Sequence, residues 1–278
     1  MNGVGLEQDA VMLRYELESR GHQVACLQFT DVGRYANCRA DVNIFLEVVV
    51  EQFYGLAPVQ WLVVNPEWTY PMWNLTPFRY VLAKTIDAAT IFAQKVNGKC
   101  RYIGWKARDL YRPDVKRERK FLHVCGKSKF KNTEAVRRGC QLAGVECTVV
   151  GDGYVRLQDE DLAALFNSHQ YFLCPSAYEG FGMALHEALS CGACVITTDA
   201  PPMNEIEPAM LIHSCQSAPH NLGTLHTVNA EDVASAVRMA LAFSDQELDD
   251  WREWSRETYE RESRSFGKAL DDLLKEAA

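Results

Sequence analysis

The sequence predicts an α/β protein with two Rossmann-like halves that face a central cleft, of which the N-terminal half is compact. Helical and strand patterns alternate along the chain, which is typical of a parallel sheet with crossover helices. A polar, charged segment over residues 109–120 separates two such alternations. The 278 residues, 47% of them apolar, suffice for one large domain or two small ones.

Apolar spacing predicts the elements of the first half. They are a helix over 6–20, strands over 22–29, 41–50 and 60–64, a helix over 80–96 and a strand over 101–104.

The second half repeats the alternation. The predicted strands cover 121–125, 145–150, 170–174 and 194–198, and the predicted helices cover 133–142, 159–168, 183–190, 231–243 and 245 to the end. Ligands of such sheets bind outside the carboxyl ends of the strands, so these ends are where functional residues are expected.

Composition excludes some classes of protein. No run of about 18 uncharged apolar residues is present, so we expect no membrane span, and the first residues lack a secretory signal, so we expect a cytoplasmic protein. Cys191 and Cys194 have the spacing of a zinc or redox pair, but a helix end that turns into a strand accounts for them better.

The charge is unevenly distributed. The net charge is −8, yet residues 99–138 hold 14 Lys and Arg against four acids, a balance of 14 − 4 = +10, which leaves −18 for the rest. This basic band predicts an anionic ligand, either a diphosphate or a polyanion such as DNA. The alternative is a solvated linker followed by one helix face.

The segment 175–187 carries the strongest functional signal. A predicted buried strand ends at Cys174, a glycine-rich turn with one carboxylate follows, and a second carboxylate lies just inside the next helix. The free N–H groups of that helix form an anion site between the two acids, and small residues let a ligand approach the backbone. A nucleotide sugar has a matching layout, because carboxylates accept bonds from sugar or ribose hydroxyls and the helix faces the diphosphate. The candidate residues are Glu179, Gly180, Phe181, Gly182 and Glu187.

A second motif follows the strand predicted over 121–125. Gly126 leads into three alternating lysines, of which Lys127 and Lys131 are candidates for neutralising a diphosphate leaving group, whereas Lys129 is expected to face solvent. A loop that exposes lysines only for solubility is the alternative.

Weaker candidates lie elsewhere. Gly3 and Gly5 form a short glycine-rich turn before the first predicted helix, a weak phosphate signal. Glu67 follows a strand on the acceptor side of the expected cleft, where a structural turn is an equal alternative. The acids at 159–161 suit the start of a helix better than a metal site, so we expect no required metal and no cofactor beyond the co-substrate.

These residues resemble the retaining glycosyltransferase family 4, which has the GT-B fold. The spacing of Glu179 and Glu187 around Gly180-Phe181-Gly182 is similar to the family's paired-glutamate signature, and Gly126 to Lys131 is similar to its basic phosphate loop. The residues after the helix, 191–196 and 202–205, fit its continuation. The likeness covers most of residues 121–210 and is looser over 1–118, where the family's usual first strand is absent, replaced or lost upstream.

The resemblance implies a site and a domain plan. Glu179 would lie beside the transferred hexose, Glu187 would bind the ribose, Lys127 and Lys131 would bind the diphosphate, and transfer would retain the anomeric configuration without an obligatory metal. The implied domains are an acceptor-side unit over 1–117, a nucleotide-sugar-binding unit over 118–250 and a helix over 251–278 that crosses back to the first unit.

Three functions compete with hexose transfer from a UDP- or GDP-sugar to a hydroxyl acceptor. The basic band would suit a viral-type enzyme that glycosylates a hydroxymethylated base in DNA. A nucleotide-sugar epimerase is another possibility, although no catalytic acid and base can be identified for it. The third is a non-catalytic nucleotide-sugar-binding protein, against which the intact set of glutamates and lysines argues.

Overall fold

Two parallel sheets form the centre of the protein. A computed structural model describes residues 3–31, 33, 35, 38–126, 128–152 and 157–277. The first sheet has the strand order Val42–Leu46, Val59–Val64, Tyr80–Ala83 and Cys100–Tyr102. The second sheet has the strand order Cys147–Val150, Glu118–Val124, His169–Cys174, Cys194–Thr198 and Met210–Ile212. The paired strands in both sheets are parallel. The prediction of two Rossmann-like halves is confirmed.

The first unit begins with a helix and continues into its sheet. Its elements are α1 (Gly3–Glu18), β1 (Val42–Leu46), β2 (Val59–Val64), β3 (Tyr80–Ala83), α2 (Ile86–Ala93) and β4 (Cys100–Tyr102).

The second unit holds the remaining elements. They are β5 (Glu118–Val124), α3 (Thr133–Ala143), β6 (Cys147–Val150), α4 (Asp159–Ser168), β7 (His169–Cys174), α5 (Met183–Ser190), β8 (Cys194–Thr198), β9 (Met210–Ile212), β10 (Gln216–His220), β11 (Gly223–Thr227), α6 (Ala230–Leu241) and α7 (Asp245–Ala277). Strands β10 and β11 form a separate antiparallel hairpin.

Two predictions in the first half were wrong. The segment 22–28, which is described, forms no strand, because its residues are mostly exposed and pair with none of the described strands. The helix predicted over 80–96 is instead β3 followed by α2. The run Tyr80–Ala83 lies between β2 and β4, and the hydroxyl of Thr85 then caps α2 by accepting a bond from Ala88 N at 3.1 Å.

The start of α1 also differs from the prediction. Gly3 and Gly5 lie inside the helix rather than in a turn before it. Two further elements were missed, β9 and the β10–β11 hairpin, whose polar strands and Pro219 give little strand signal.

One hydrophobic cluster spans both units and fixes their relation. Trp61 and Trp105 of the first unit, Leu122 and Phe172 of the second sheet, and Phe266 of α7 belong to it. The ring centroids of Trp105 and Phe266 lie 5.1 Å apart. The carboxyl ends of both sheets therefore border one cleft.

Candidate active site

The cleft contains a cavity of about 270 Å³ lined by residues from both units. Most of the sequence-predicted site residues that are described lie in its lining: Gly5, Glu67, Lys131, Glu179, Gly180, Phe181, Gly182 and Glu187. Only the backbone of Gly3, at the start of α1, is described. Lys127 lies outside the described residues.

Glu179 and Lys131 form an ion pair at the carboxyl ends of β7 and β5. Lys131 Nζ donates to Glu179 Oε1, and Ser176 Oγ donates to the same oxygen at 2.5 Å. Burial acts to lower the pKa of Lys131, but the adjacent Glu179 carboxylate raises that pKa above its usual value. The cleft thus presents a fixed cation and a fixed carboxylate side by side.

The backbone holds this pair in place. Asn132 has a left-handed conformation (φ 49°) and its side-chain amide donates to Pro175 O at 2.8 Å. Ala177 N donates to Phe130 O at 2.6 Å. The lysine turn and the glutamate loop are therefore fastened to each other beside the cavity.

Gly180 and Gly182 are glycines for different reasons. A Cβ on Gly180 would lie 2.2 Å from Cγ of Asn65, so the loop meets the first unit at a distance that excludes any side chain. Gly182 has φ 84°, in the left-handed region that favours glycine, and precedes α5. Phe181 stacks on His186 with ring centroids 3.8 Å apart, which anchors the loop on α5.

Glu187 is buried and bound to an arginine that the sequence did not single out. Arg108 Nε donates to Glu187 Oε1 at 2.7 Å, and Arg108 Nη1 lies 2.9 Å from Asp159 Oδ1. Burial raises the pKa of Glu187, although Arg108 opposes this. The position of Arg108 inside the basic band was its only signal in the sequence.

The first unit contributes a polar wall that the sequence revealed only through Glu67. Glu47, Asn65 and Lys84 each directly follow a strand, namely β1, β2 and β3. Lys84 Nζ lies 2.6 Å from Asp9 Oδ2 and 3.4 Å from Glu47 Oε1, and Asn65 Nδ2 donates to Glu47 Oε1 at 2.5 Å. Residues at three adjacent strand ends therefore form one network, a pattern that strand-end reasoning could have found.

Glu67 lies in the turn after β2 and is only 5% exposed. Burial, with smaller contributions from the carboxylates of Glu47 and Glu179, raises the pKa of Glu67 to about 8, while a backbone hydrogen bond and Lys84 oppose the shift. Its carboxyl group is therefore largely protonated at neutral pH.

Within the described ranges, no cluster of His, Cys, Asp or Glu has a metal-binding arrangement. The acids Asp159, Glu160 and Asp161 occupy the first turn of α4. None of the helices in the described part of the chain is both long enough and apolar enough to cross a membrane.

Part of the chain is similar to a known protein family. Residues 105–241 match the family model described as "Glycosyl transferases group 1". The chain is 43% identical over 54 residues to the O-antigen chain mannosyltransferase B of Escherichia coli, which is 19% of this chain and 14% of that protein. It is 49% identical over 43 residues to a GDP-mannose:cellobiosyl-diphosphopolyprenol alpha-mannosyltransferase of Xanthomonas oryzae pv. oryzae (strain PXO99A), which is 16% of this chain and 11% of that protein.

Solved structures show a related architecture. The pneumococcal O-GlcNAc transferase GtfA, in complex with UDP and GlcNAc, has a TM-score of 0.66 at 15% identity, covering 90% of this chain and 59% of its own. The sucrose-phosphate synthase of Thermosynechococcus elongatus has a TM-score of 0.62 at 14% identity, covering 88% of this chain and 75% of its own. The fold is therefore GT-B, and residues 105–241 are similar to the family described as "Glycosyl transferases group 1".

Proposed function

We propose that the protein is a retaining glycosyltransferase that moves a hexose from a UDP- or GDP-sugar to a hydroxyl acceptor. The partly buried ion pair of Lys131 and Glu179, set in a cavity beside the start of α5, is the observation that carries this proposal. Three findings support the proposal: the family match over residues 105–241, the GDP-mannose in the name of the Xanthomonas relative, and the UDP in the complex of GtfA.

Each residue has a role that follows from its chemistry. Lys131 stabilises the negative charge that develops on the diphosphate as its bond to the anomeric carbon breaks. The N-terminus of α5, opened by Gly182, faces the same diphosphate, and small residues there let it approach closely. Glu179 accepts hydrogen bonds from the hexose. No metal is required in this scheme, because Lys131, Lys127 and the helix supply the positive charge.

Glu187 binds the ribose in this proposal, with Arg108 as its neighbour. Both contacts from Arg108 use Oε1 of Glu187, so Oε2 is the oxygen available to a ribose hydroxyl. Arg108 opposes the increase that burial causes in the pKa of Glu187 and so favours the ionised form.

The experiment is a mass-spectrometric screen of UDP-glucose, UDP-GlcNAc and GDP-mannose against candidate acceptors, modified DNA included. We expect Lys131→Ala and Glu179→Ala each to lower turnover by about 100-fold or more. Lys129→Ala is the matched control, because this exposed lysine lies in the same turn and should leave turnover unchanged. NMR of the product gives the anomeric configuration.

Two outcomes would contradict the proposal. Unchanged transfer by both Lys131→Ala and Glu179→Ala would show that the site lies elsewhere. Nucleotide binding without turnover across the whole panel would favour a non-catalytic binding protein.

A further inference from the structure

Two buried acceptor atoms on the first-unit wall of the cavity have no protein partner. Within the described part of the chain, Asn65 Oδ1 and Glu67 Oε2 are shielded from solvent and form no hydrogen bond. Both residues line the cavity, and they are 7% and 5% exposed. A buried polar atom without a hydrogen-bond partner is destabilising, because it has lost its bonds to water. The arrangement therefore points to a ligand that completes these bonds.

The two side chains are held firmly in position. Asn65 packs against Gly180, and its amide nitrogen is already used by Glu47. Two residues of the second unit donate hydrogen bonds to the turn that carries Glu67. Asn221 Nδ2 donates to Glu67 O at 2.6 Å, and Leu222 N donates to Pro66 O at 3.2 Å. Their places are thus fixed relative to the loop of Glu179.

The chemistry of the pair selects the kind of ligand. Asn65 Oδ1 only accepts hydrogen bonds, whereas a protonated carboxyl at Glu67 both donates and accepts. Glu47, Glu179, Tyr178 and Lys84 are the titratable groups around Glu67. Hydroxyl groups both donate and accept, so neighbouring hydroxyls on a sugar ring satisfy both side chains without bringing a charge into the cavity.

We propose that the side chains of Asn65 and Glu67 bind hydroxyls of the donor's sugar from the first-unit wall of the cavity. The inference rests on the proposed function, because it takes the cavity to hold a nucleotide sugar. It assigns Glu67, expected from the sequence on the acceptor side, to selection of the donor sugar.

The test compares binding of a nucleotide with binding of the corresponding nucleotide sugar. Isothermal titration gives Kd for UDP, UDP-glucose, UDP-GlcNAc, GDP and GDP-mannose in each variant. We expect Glu67→Ala and Asn65→Ala to weaken the nucleotide sugar about 5- to 10-fold while the Kd of the nucleotide stays unchanged. Glu67→Gln should keep most of the affinity, because an amide also donates and accepts. Exposed Glu51→Ala is the control.

The outcomes separate the two proposals. If the wild-type protein binds none of the nucleotides, the proposed function fails and this inference fails with it. If the nucleotide binds normally but both alanine variants keep the full affinity for the sugar nucleotides, this inference alone is overturned. If Glu67→Gln loses as much affinity as Glu67→Ala, the role of a neutral carboxyl is overturned.

Discussion

Several charged side chains in the cleft form ion pairs that are largely buried. Lys84 has a side chain only 2% exposed, yet it contacts Asp9 and Glu47. Desolvation costs several kcal/mol per ion and is offset only by good geometry, so such a pair contributes position more than stability. Glu47 also adopts φ 59°, a conformation that costs a non-glycine residue about 1 kcal/mol. Both free-energy costs, the desolvation of Lys84 and the backbone conformation of Glu47, arise at residues of the polar wall of the candidate site.

Glu67→Gln should change how stability depends on pH. The folded state raises the pKa of Glu67 to about 8 from 4.5. Below pH 4.5 both states are protonated, between 4.5 and 8 only the unfolded state ionises, and above 8 the full loss of stability is present. A tenfold change in proton affinity corresponds to about 1.4 kcal/mol. From pH 5 to 8 we expect the wild type to lose more stability than Glu67→Gln, by on the order of a few kcal/mol.

Urea denaturation of both proteins at pH 5, 6, 7 and 8 measures this difference. Glu187, a buried acid that is not among the groups that shift the pKa of Glu67, affects both proteins equally and cancels in the comparison. Parallel stability curves for the two proteins would show that Glu67 is ionised in the folded state at neutral pH.

At the residue scale, the sequence predicted strand-end residues better than their partners. Lys131, Glu179 and Glu67 share one cavity because each follows a parallel strand, which is a property of chain topology. The bond from Arg108 to Glu187 joins residues 79 positions apart, and it depends on packing that no local pattern encodes.

Helices and strands followed local pattern wherever that pattern was strong. The predicted helices over 133–142 and 159–168 match α3 and α4 closely, since amphipathic spacing and end residues such as Gly144 (φ 74°) define them. The prediction of a single helix over 80–96 was wrong, because a short apolar strand and the start of a helix have similar apolar periodicity. Residues 80–83 form a strand because they pair with β2 on one side and β4 on the other, which is a tertiary effect.

The packing of α3 on α6 depends on one glycine. A Cβ on Gly139 would lie 2.5 Å from Cγ1 of Val233 and 3.0 Å from Ala230 O. Alanine would add about 1 kcal/mol of helix propensity, but overpacking costs about 1–3 kcal/mol. The two terms leave a net cost of about 0–2 kcal/mol, so we expect Gly139→Ala to lower the free energy of unfolding by about 1 kcal/mol.

Gly267→Ala in α7 is the matched control. Its Cβ would meet only the end of the Arg20 side chain, at 3.2 Å, so we expect stability to stay the same or to rise by up to about 1 kcal/mol. Urea denaturation measures both variants. Equal effects of the two substitutions would mean that the contact with Val233 does not limit the approach of α3 to α6.

The whole molecule is joined by α7, which contacts both units. Ser255 Oγ donates to Ala193 O at 2.9 Å in the second unit, and Tyr80 OH donates to Glu276 Oε2 at 2.5 Å in the first. The crossing of a C-terminal helix was implied by the family resemblance and by no local pattern. The structure starts this helix at Asp245, within the span proposed for the second unit.

In the folded protein, the charge of the basic band, residues 99–138, is partly offset by contacts within the chain. Many of its cations lie against acids or carbonyl oxygens of the same chain: Lys106 with Glu16, Arg108 with Glu187, Arg119 with Asp245, Lys120 with Glu118, Lys131 with Glu179, Arg137 with Asp152, and Arg117 with the carbonyls of His169, Cys191 and Gly192. Five of these cations, Lys106, Arg108, Arg119, Lys131 and Arg137, pair with acids outside the band, so about half of the local excess of +10 is offset (10 − 5 = +5). The DNA alternative loses much of the free positive charge on which it rested.

We therefore expect only weak binding of duplex DNA with a shallow dependence on salt. A protein that neutralises 6–10 phosphates loses about 10³- to 10⁵-fold in affinity between 50 and 200 mM salt. For this protein, with a net charge of −8, we expect a loss of less than about tenfold. Fluorescence anisotropy with a hydroxymethylated duplex and an unmodified duplex of equal length measures it. A steep salt dependence with the hydroxymethylated duplex would restore DNA as the leading acceptor, because it would show that these ion pairs open to bind phosphates.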